Sequence, residues 1–145
     1  MGVLTHIVAA EEDEVEAVGE SLHPAGEWSG LEVRDIDTEK VATLHSLLTG
    51  DAFDDSIVHY EPLYVSASEG ALVLRLADEA TERLAELEEE AIEQVAAELA
   101  ATEAFENEGW EEEAIAAMLA ELADIARLAD SQGQVLLVWM HPLRT

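Results

Sequence analysis

The apolar positions along this chain change their period from segment to segment, and those changes predict the elements. Residues 3–9 (VLTHIVA) are short, apolar and partly β-branched, which predicts a strand. Residues 11–22 place Val15, Val18 and Leu22 at helical spacing in an acidic background, and His23-Pro24 ends that helix. The stretch HPAGEWSG (23–30) reads as a loop, and LEVRDI (31–36) alternates like a short strand. Asp37 or Thr38 can cap a helix over about 38–49, with Gly50 as its C-terminal stop. Residues 51–70 are the least regular, with a short helix around 54–60. ALVLRL (71–76) reads as a strand.

Two long amphipathic helices follow. Over 78–101, Leu84, Leu87, Ala91, Val95 and Leu99 form one apolar stripe, with glutamates on the other side. Over 110–131, Ile115, Met118, Leu122, Ile125 and Ala129 do the same, and Gly133 is the stop. QVLLVWM (134–140) is an unbroken apolar run. Such a strand belongs in the middle of a sheet covered on both faces. The sum predicts a single α+β domain over 1–145. Its small sheet includes adjacent N- and C-terminal strands and packs against the two long helices.

Charge alters the picture of the surface. The chain carries 34 Asp and Glu against 6 Lys and Arg, for a formal charge of −28, and Lys40 is its one lysine. Hydrophobic residues make up 49%, so the acidity does not imply disorder. The composition looks like that of proteins from salt-saturated cytoplasm, where screening removes the repulsion between carboxylates. The competing reading makes the acidic face a functional surface, as in a nucleic-acid mimic. Direct nucleic-acid binding is not expected, because it draws on clustered Lys and Arg and the five arginines are scattered. A membrane surface or span is not expected either. The N-terminus lacks a basic leader, which predicts a cytoplasmic protein. With no cysteine, disulfides and thiolate chemistry drop out.

The segment DIDTEKVATLHSLLTGDAF (35–53) resembles the signature of the YfbM-like family of uncharacterised small cytoplasmic proteins. The matching residues are Asp35-Ile36-Asp37, Leu44-His45, Leu47-Leu48-Thr49-Gly50 and Ala52-Phe53-Asp54. Ala42 and Ser46 depart from it where the family has aromatics. Met1-Gly2 before the first strand and the late helix, Gly turn and closing strand over 110–140 follow the family's layout. The resemblance implies an α+β fold and no activity.

Three groups of residues are candidate sites. Asp35 and Asp37 with His45 could form a general base or a metal set. Asp37 is eight residues from His45, about 12 Å along a helix, which separates them, and each has a structural alternative as a cap or a buried histidine. Asp51, Asp54, Asp55, His59 and Glu61 form a second cluster, with Asp54, Asp55 and His59 its candidate ligands for a hard cation and Asp55 and His59 at i,i+4 if that segment is helical. Trp28 and Tyr60 are candidate partner contacts. Phosphate loops, nucleophile elbows and HExxH are missing from the sequence, so no cofactor is expected. The leading expectation is a non-enzymatic binding domain, monomer or homodimer, that meets a protein or small molecule through the surface around 35–61. The alternatives are a small hydrolase-like or metal-assisted enzyme using Asp35, Asp37 and His45, and an acidic nucleic-acid-mimic inhibitor.

Overall fold

A computed structural model describes residues 3–21, 23–67 and 70–141. Met1-Gly2 and Leu22, used above, lie outside the described residues. The strands are β1 (Leu4–Ala10), β2 (Ser29–Arg34), β3 (Tyr64–Val65), β4 (Leu72–Arg75) and β5 (Val135–His141). They form one antiparallel sheet in the order β2-β1-β5-β4-β3. The terminal strands are adjacent, with Leu4 opposite His141 and Ala10 opposite Val135. The apolar run 134–140 is the central strand, as its unbroken hydrophobicity predicts.

Alternation along the strands supplies two cores. Ile7, Ala9, Leu136, Val138 and Met140 face the larger one, which the long helices complete. Leu4, Val8, Leu137 and Trp139 face a smaller one, closed by Val18 of α1 (Val15–Glu20) with Ala25 and Trp28 packed against it. Every residue of β1 is therefore buried. A 3-10 turn, Glu12–Glu14, leads into α1.

The span 23–30 is not a plain loop. Pro24 sits in the first turn of α2 (Pro24–Glu27), where its missing N–H costs nothing, and β2 already begins at Ser29. Helix α3 (Thr38–Thr49) has the caps that the sequence predicts. The Asp37 side chain accepts from the Lys40 N–H at 3.0 Å, and Gly50 takes a left-handed φ of 83°. Helix α4 (Phe53–Ile57) is shorter than the 54–60 expectation.

The helix expected over 78–101 is two helices, α5 (Asp78–Glu86) and α6 (Glu89–Ala100). Leu87 leaves helical geometry with ψ 127°, and Arg127 takes over the freed carbonyls. Its Nε donates to the Ala85 carbonyl at 2.9 Å and its Nη2 to that of Leu87. A one-turn helix, α7 (Glu103–Glu106), precedes α8 (Glu112–Gln132), which matches the predicted second long helix and ends at Gly133. Arg127 lies on α8, so the break in one helix is held by a side chain of another.

Candidate functional site

Two histidine clusters stand out, one on each side of the sheet. The first begins at the end of α3. His45 is 2% exposed, on the buried side of α3 with Val41 and Leu44. Gly50 then reverses the chain and brings Asp51 back over the ring. Ser46 Oγ donates to the Asp51 carbonyl at 2.6 Å, and the Asp51 N–H donates to Thr49 Oγ1 at 3.3 Å. These bonds fix the loop that carries the carboxylate. His45 Nε2 lies 3.1 Å from Asp51 Oδ2.

Two turns after α4, bonded from His59 N–H to the Ser56 carbonyl and from Tyr60 N–H to that of Ile57, return the chain to the same ring. Tyr60 is 3% exposed and its hydroxyl lies 2.8 Å from His45 Nδ1. His59 is exposed, with its ring centroid 5.2 Å from that of His45. One ligand atom from each of His45, Asp51 and His59 falls within 4.8 Å of the others.

The protons of this cluster follow from its donors. Burial pushes the Tyr60 phenol up to about 12, so it keeps its hydrogen at neutral pH. Its oxygen accepts from the Ala77 N–H at 3.3 Å, and its hydrogen is available to His45 Nδ1. Nε2 then carries the imidazole proton and donates it to Asp51. That hydrogen bond, ahead of smaller contributions from Thr49 and the two histidines, holds the Asp51 carboxyl below the usual carboxylate range.

The second cluster joins β1, β2 and the turn before α2. Register places His6 directly opposite Glu32. His6 is fully buried, and its Nδ1 accepts from the Ala25 N–H at 3.0 Å. A backbone N–H can only donate, so Nε2 bears the proton of the neutral ring. Nε2 faces Glu32 Oε1 at 3.3 Å, and His23 Nε2 reaches the same oxygen at 3.1 Å.

The predicted site residues separate in the structure. Asp35 sits at φ 64°, its N–H bonded to the Val3 carbonyl at 2.8 Å and its Oδ1 accepting from the Val3 N–H at 3.2 Å. Asp37 caps α3 and lies 3.7 Å from Lys40 Nζ. Both aspartates have structural partners, and the carboxylate that His45 meets is Asp51. The proposed Asp35–Asp37–His45 set is therefore not assembled. His59 does join a possible ligand set, but Asp54 and Asp55 are exposed, and among the described residues neither enters one. Asp55 and His59 do not share a helical face, because α4 ends at Ile57.

The aromatic candidates are placed differently from the expectation. Tyr60 is interior. Trp28 is half-buried against the smaller core and donates from Nε1 to Glu14 Oε2 at 3.2 Å. The exposed large hydrophobic residues among those described are Phe53, Val58, Leu63 and Val65. All four fall in one short span that the sequence marks only as irregular.

No family model, curated protein or solved structure matches this chain. Among the described residues, no helix is long and apolar enough to cross a membrane.

Proposed function

We propose that this protein is a non-enzymatic cytoplasmic binding domain that meets a polypeptide partner through the surface around residues 53–65. The observation that carries this reading is the confinement of the exposed large hydrophobics to that span. Two of them, Leu63 at 56% and Val65 at 58% exposed, flank Tyr64 on β3, an edge of the sheet. Strand alternation puts them on one face. Residues 63–65 carry no charge to repel a neighbour, although the two-residue length of the edge limits the backbone bonds an added strand could make there. An extended segment with apolar side chains, added beside β3, is the partner this chemistry fits.

Other features support binding over acid–base catalysis at His45. Asp51 and Tyr60 engage both ring nitrogens, so a substrate proton would have to displace one of these hydrogen bonds. The resemblance of 35–53 to the YfbM-like family belongs to this reading and adds no activity to it. We read the acidic exterior as an adaptation to a salt-rich cytoplasm.

A photo-crosslinking amino acid at Val65 tests the surface, with the same group at exposed Ala97 of α6 as control. The expected result in cells that make the protein is a discrete adduct from position 65 that Leu63→Asp abolishes. Equal adducts from positions 65 and 97, or adducts indifferent to Leu63→Asp, would overturn the reading.

A further inference from the structure

We propose that His45, Asp51 and His59 form a binding site for one divalent transition-metal cation of the zinc, cobalt or nickel type, with Tyr60 orienting His45. The site draws on His59 and Tyr60 within the 53–65 span but on none of the exposed apolar side chains there, so it can be lost without removing Phe53, Val58, Leu63 or Val65.

The donor set comes first. Two imidazole nitrogens and one carboxylate suit a borderline cation, whereas calcium and magnesium take all-oxygen sets. Metal bonds of about 2.0–2.2 Å put tetrahedral ligand atoms about 3.3 Å apart. His45 Nε2 and Asp51 Oδ2 already meet that spacing at 3.1 Å, and one ligand atom from each of His45, Asp51 and His59 lies within 4.8 Å of the others. His59 is exposed and Asp51 half-buried, so the closure falls on side chains with room to turn. His45 is the fixed ligand, held by the packing of α3. Three protein ligands leave a fourth position for water or for an atom of a partner.

Protonation comes next, and it separates the two histidine clusters. A metal-bound imidazole needs its other nitrogen to carry the hydrogen and to find an acceptor for it. At His45 that acceptor is the Tyr60 oxygen. A hydroxyl has one hydrogen and two lone pairs, so when solvent takes the Nε2 proton and supplies one to Nδ1, the Tyr60 hydrogen turns off the ring and its oxygen accepts from Nδ1 while still accepting from the Ala77 N–H. Nε2 then offers its lone pair to the cation, and Asp51 exchanges a hydrogen bond for a metal bond. The ring stays neutral throughout. His6 has no such freedom. The Ala25 N–H cannot accept, so a proton on His6 Nδ1 would oppose it, and Nε2 remains the protonated nitrogen. The His6–His23–Glu32 group is comparable in composition and lies within the same 4.8 Å limit, but it has the wrong hydrogen-bond polarity. It serves as an internal control.

The test is a titration of the full chain with Co2+ in molar KCl, where salt suppresses loose binding to the many surface carboxylates. Visible absorption reports the coordination of the cobalt, and Zn2+ competes it away. One equivalent should bind with the intensified spectrum of a low-coordinate, nitrogen-ligated ion. His59→Ala should weaken binding at least tenfold, with an unchanged far-ultraviolet circular dichroism spectrum because His59 is exposed. Tyr60→Phe keeps the ring and deletes the acceptor, and should weaken binding by roughly 10–100-fold. His23→Ala should leave it unchanged. A spectrum that stays that of the hydrated ion would overturn the proposal. So would affinity that ignores His59→Ala, or that falls with His23→Ala instead.

Discussion

Lys40, the one lysine of the chain, is buried at 1% exposure, and its ammonium is paired with the carboxylate of Glu108 at the far end of the α6–α7 region. The ammonium also lies 3.7 Å from Asp37 and 5.9 Å from the centre of the Phe105 ring. The pair thus ties the first turn of α3 to the loop before α8. A buried cation that loses its partner is costly, while replacing it by an apolar side chain of similar volume is often nearly neutral. Glu108 is half-exposed and Asp37 remains as a second partner, so the penalty is reduced. Glu108→Ala should destabilise by about 1–2 kcal/mol, and Lys40→Met by less. Urea unfolding of the two variants in the same molar KCl compares them directly. A larger loss in Lys40→Met than in Glu108→Ala would show that the stem and charge of Lys40 matter beyond the pair.

Arg127 supports a second long-range junction. It is on α8, yet it bonds the carbonyl of Ala85 in the last turn of α5 and that of Leu87 just beyond the helix. Those carbonyls have no partner within their own helix. Arg127→Ala leaves them to water and should cost about 1–3 kcal/mol. Arg127→Lys should recover only part of this, because an ammonium cannot span both acceptors with a planar fork. Amide hydrogen exchange at residues 84–90 should rise in both variants and furthest in the alanine one. Unchanged protection there would remove Arg127 as the support of the break.

These two contacts show where periodicity stops informing. Both terminal strands, the central position of 134–140, α3 with its two caps and α8 are legible, because each is dictated by its own residues. The break at Leu87 is not, because the stripe from Leu84 to Leu99 is continuous and the side chain that stabilises the break lies forty residues later. The burial of Lys40 is equally invisible, since a lysine on an amphipathic helix reads as solvent-facing. The site divides the same way. His45 is predictably buried, since it shares a helical face with Val41 and Leu44. Its partner is not, because the Gly50 turn sets the direction in which Asp51 returns. His6 and Glu32 meet only through the register of β1 on β2, which a single sequence does not specify.

The two tyrosines give a pH prediction with opposite physical origins. Burial pushes Tyr60 up to about 12, whereas Tyr64 is pushed up to about 12 chiefly by the hydrogen bond its hydroxyl donates to Glu20 at 2.5 Å. Ultraviolet absorbance titration of phenolate should therefore find no tyrosine ionising near 10 in the folded protein. Glu20→Gln should return Tyr64 toward 10 and leave Tyr60 in place. For Tyr64 the folded value lies above the unfolded one. Its contribution to stability is therefore complete below pH 10 and is lost as pH rises from 10 toward 12. A first ionisation near 10 in the wild-type protein would contradict the Tyr64–Glu20 bond.

The charge of −28 makes salt the variable that matters most to the whole molecule. In ~0.1 M KCl the screening length is about 10 Å, so carboxylates on neighbouring turns repel one another, and by ~1 M it falls to about 3 Å. Repulsion of that kind opposes the compact state. Each kcal/mol regained raises the melting midpoint of a domain this size by roughly 2–4 °C, so a rise of more than about 10 °C between ~0.1 and ~3 M KCl is expected. Circular dichroism at each salt concentration measures it. KCl rather than a sulfate salt is the appropriate choice, because sulfate also strengthens apolar burial by exclusion and would raise the midpoint of an uncharged protein too. A midpoint independent of KCl would remove the reading of the acidity as environmental. The carboxylate face would then be a surface kept for a basic partner, and the search for that partner would begin there and not at β3.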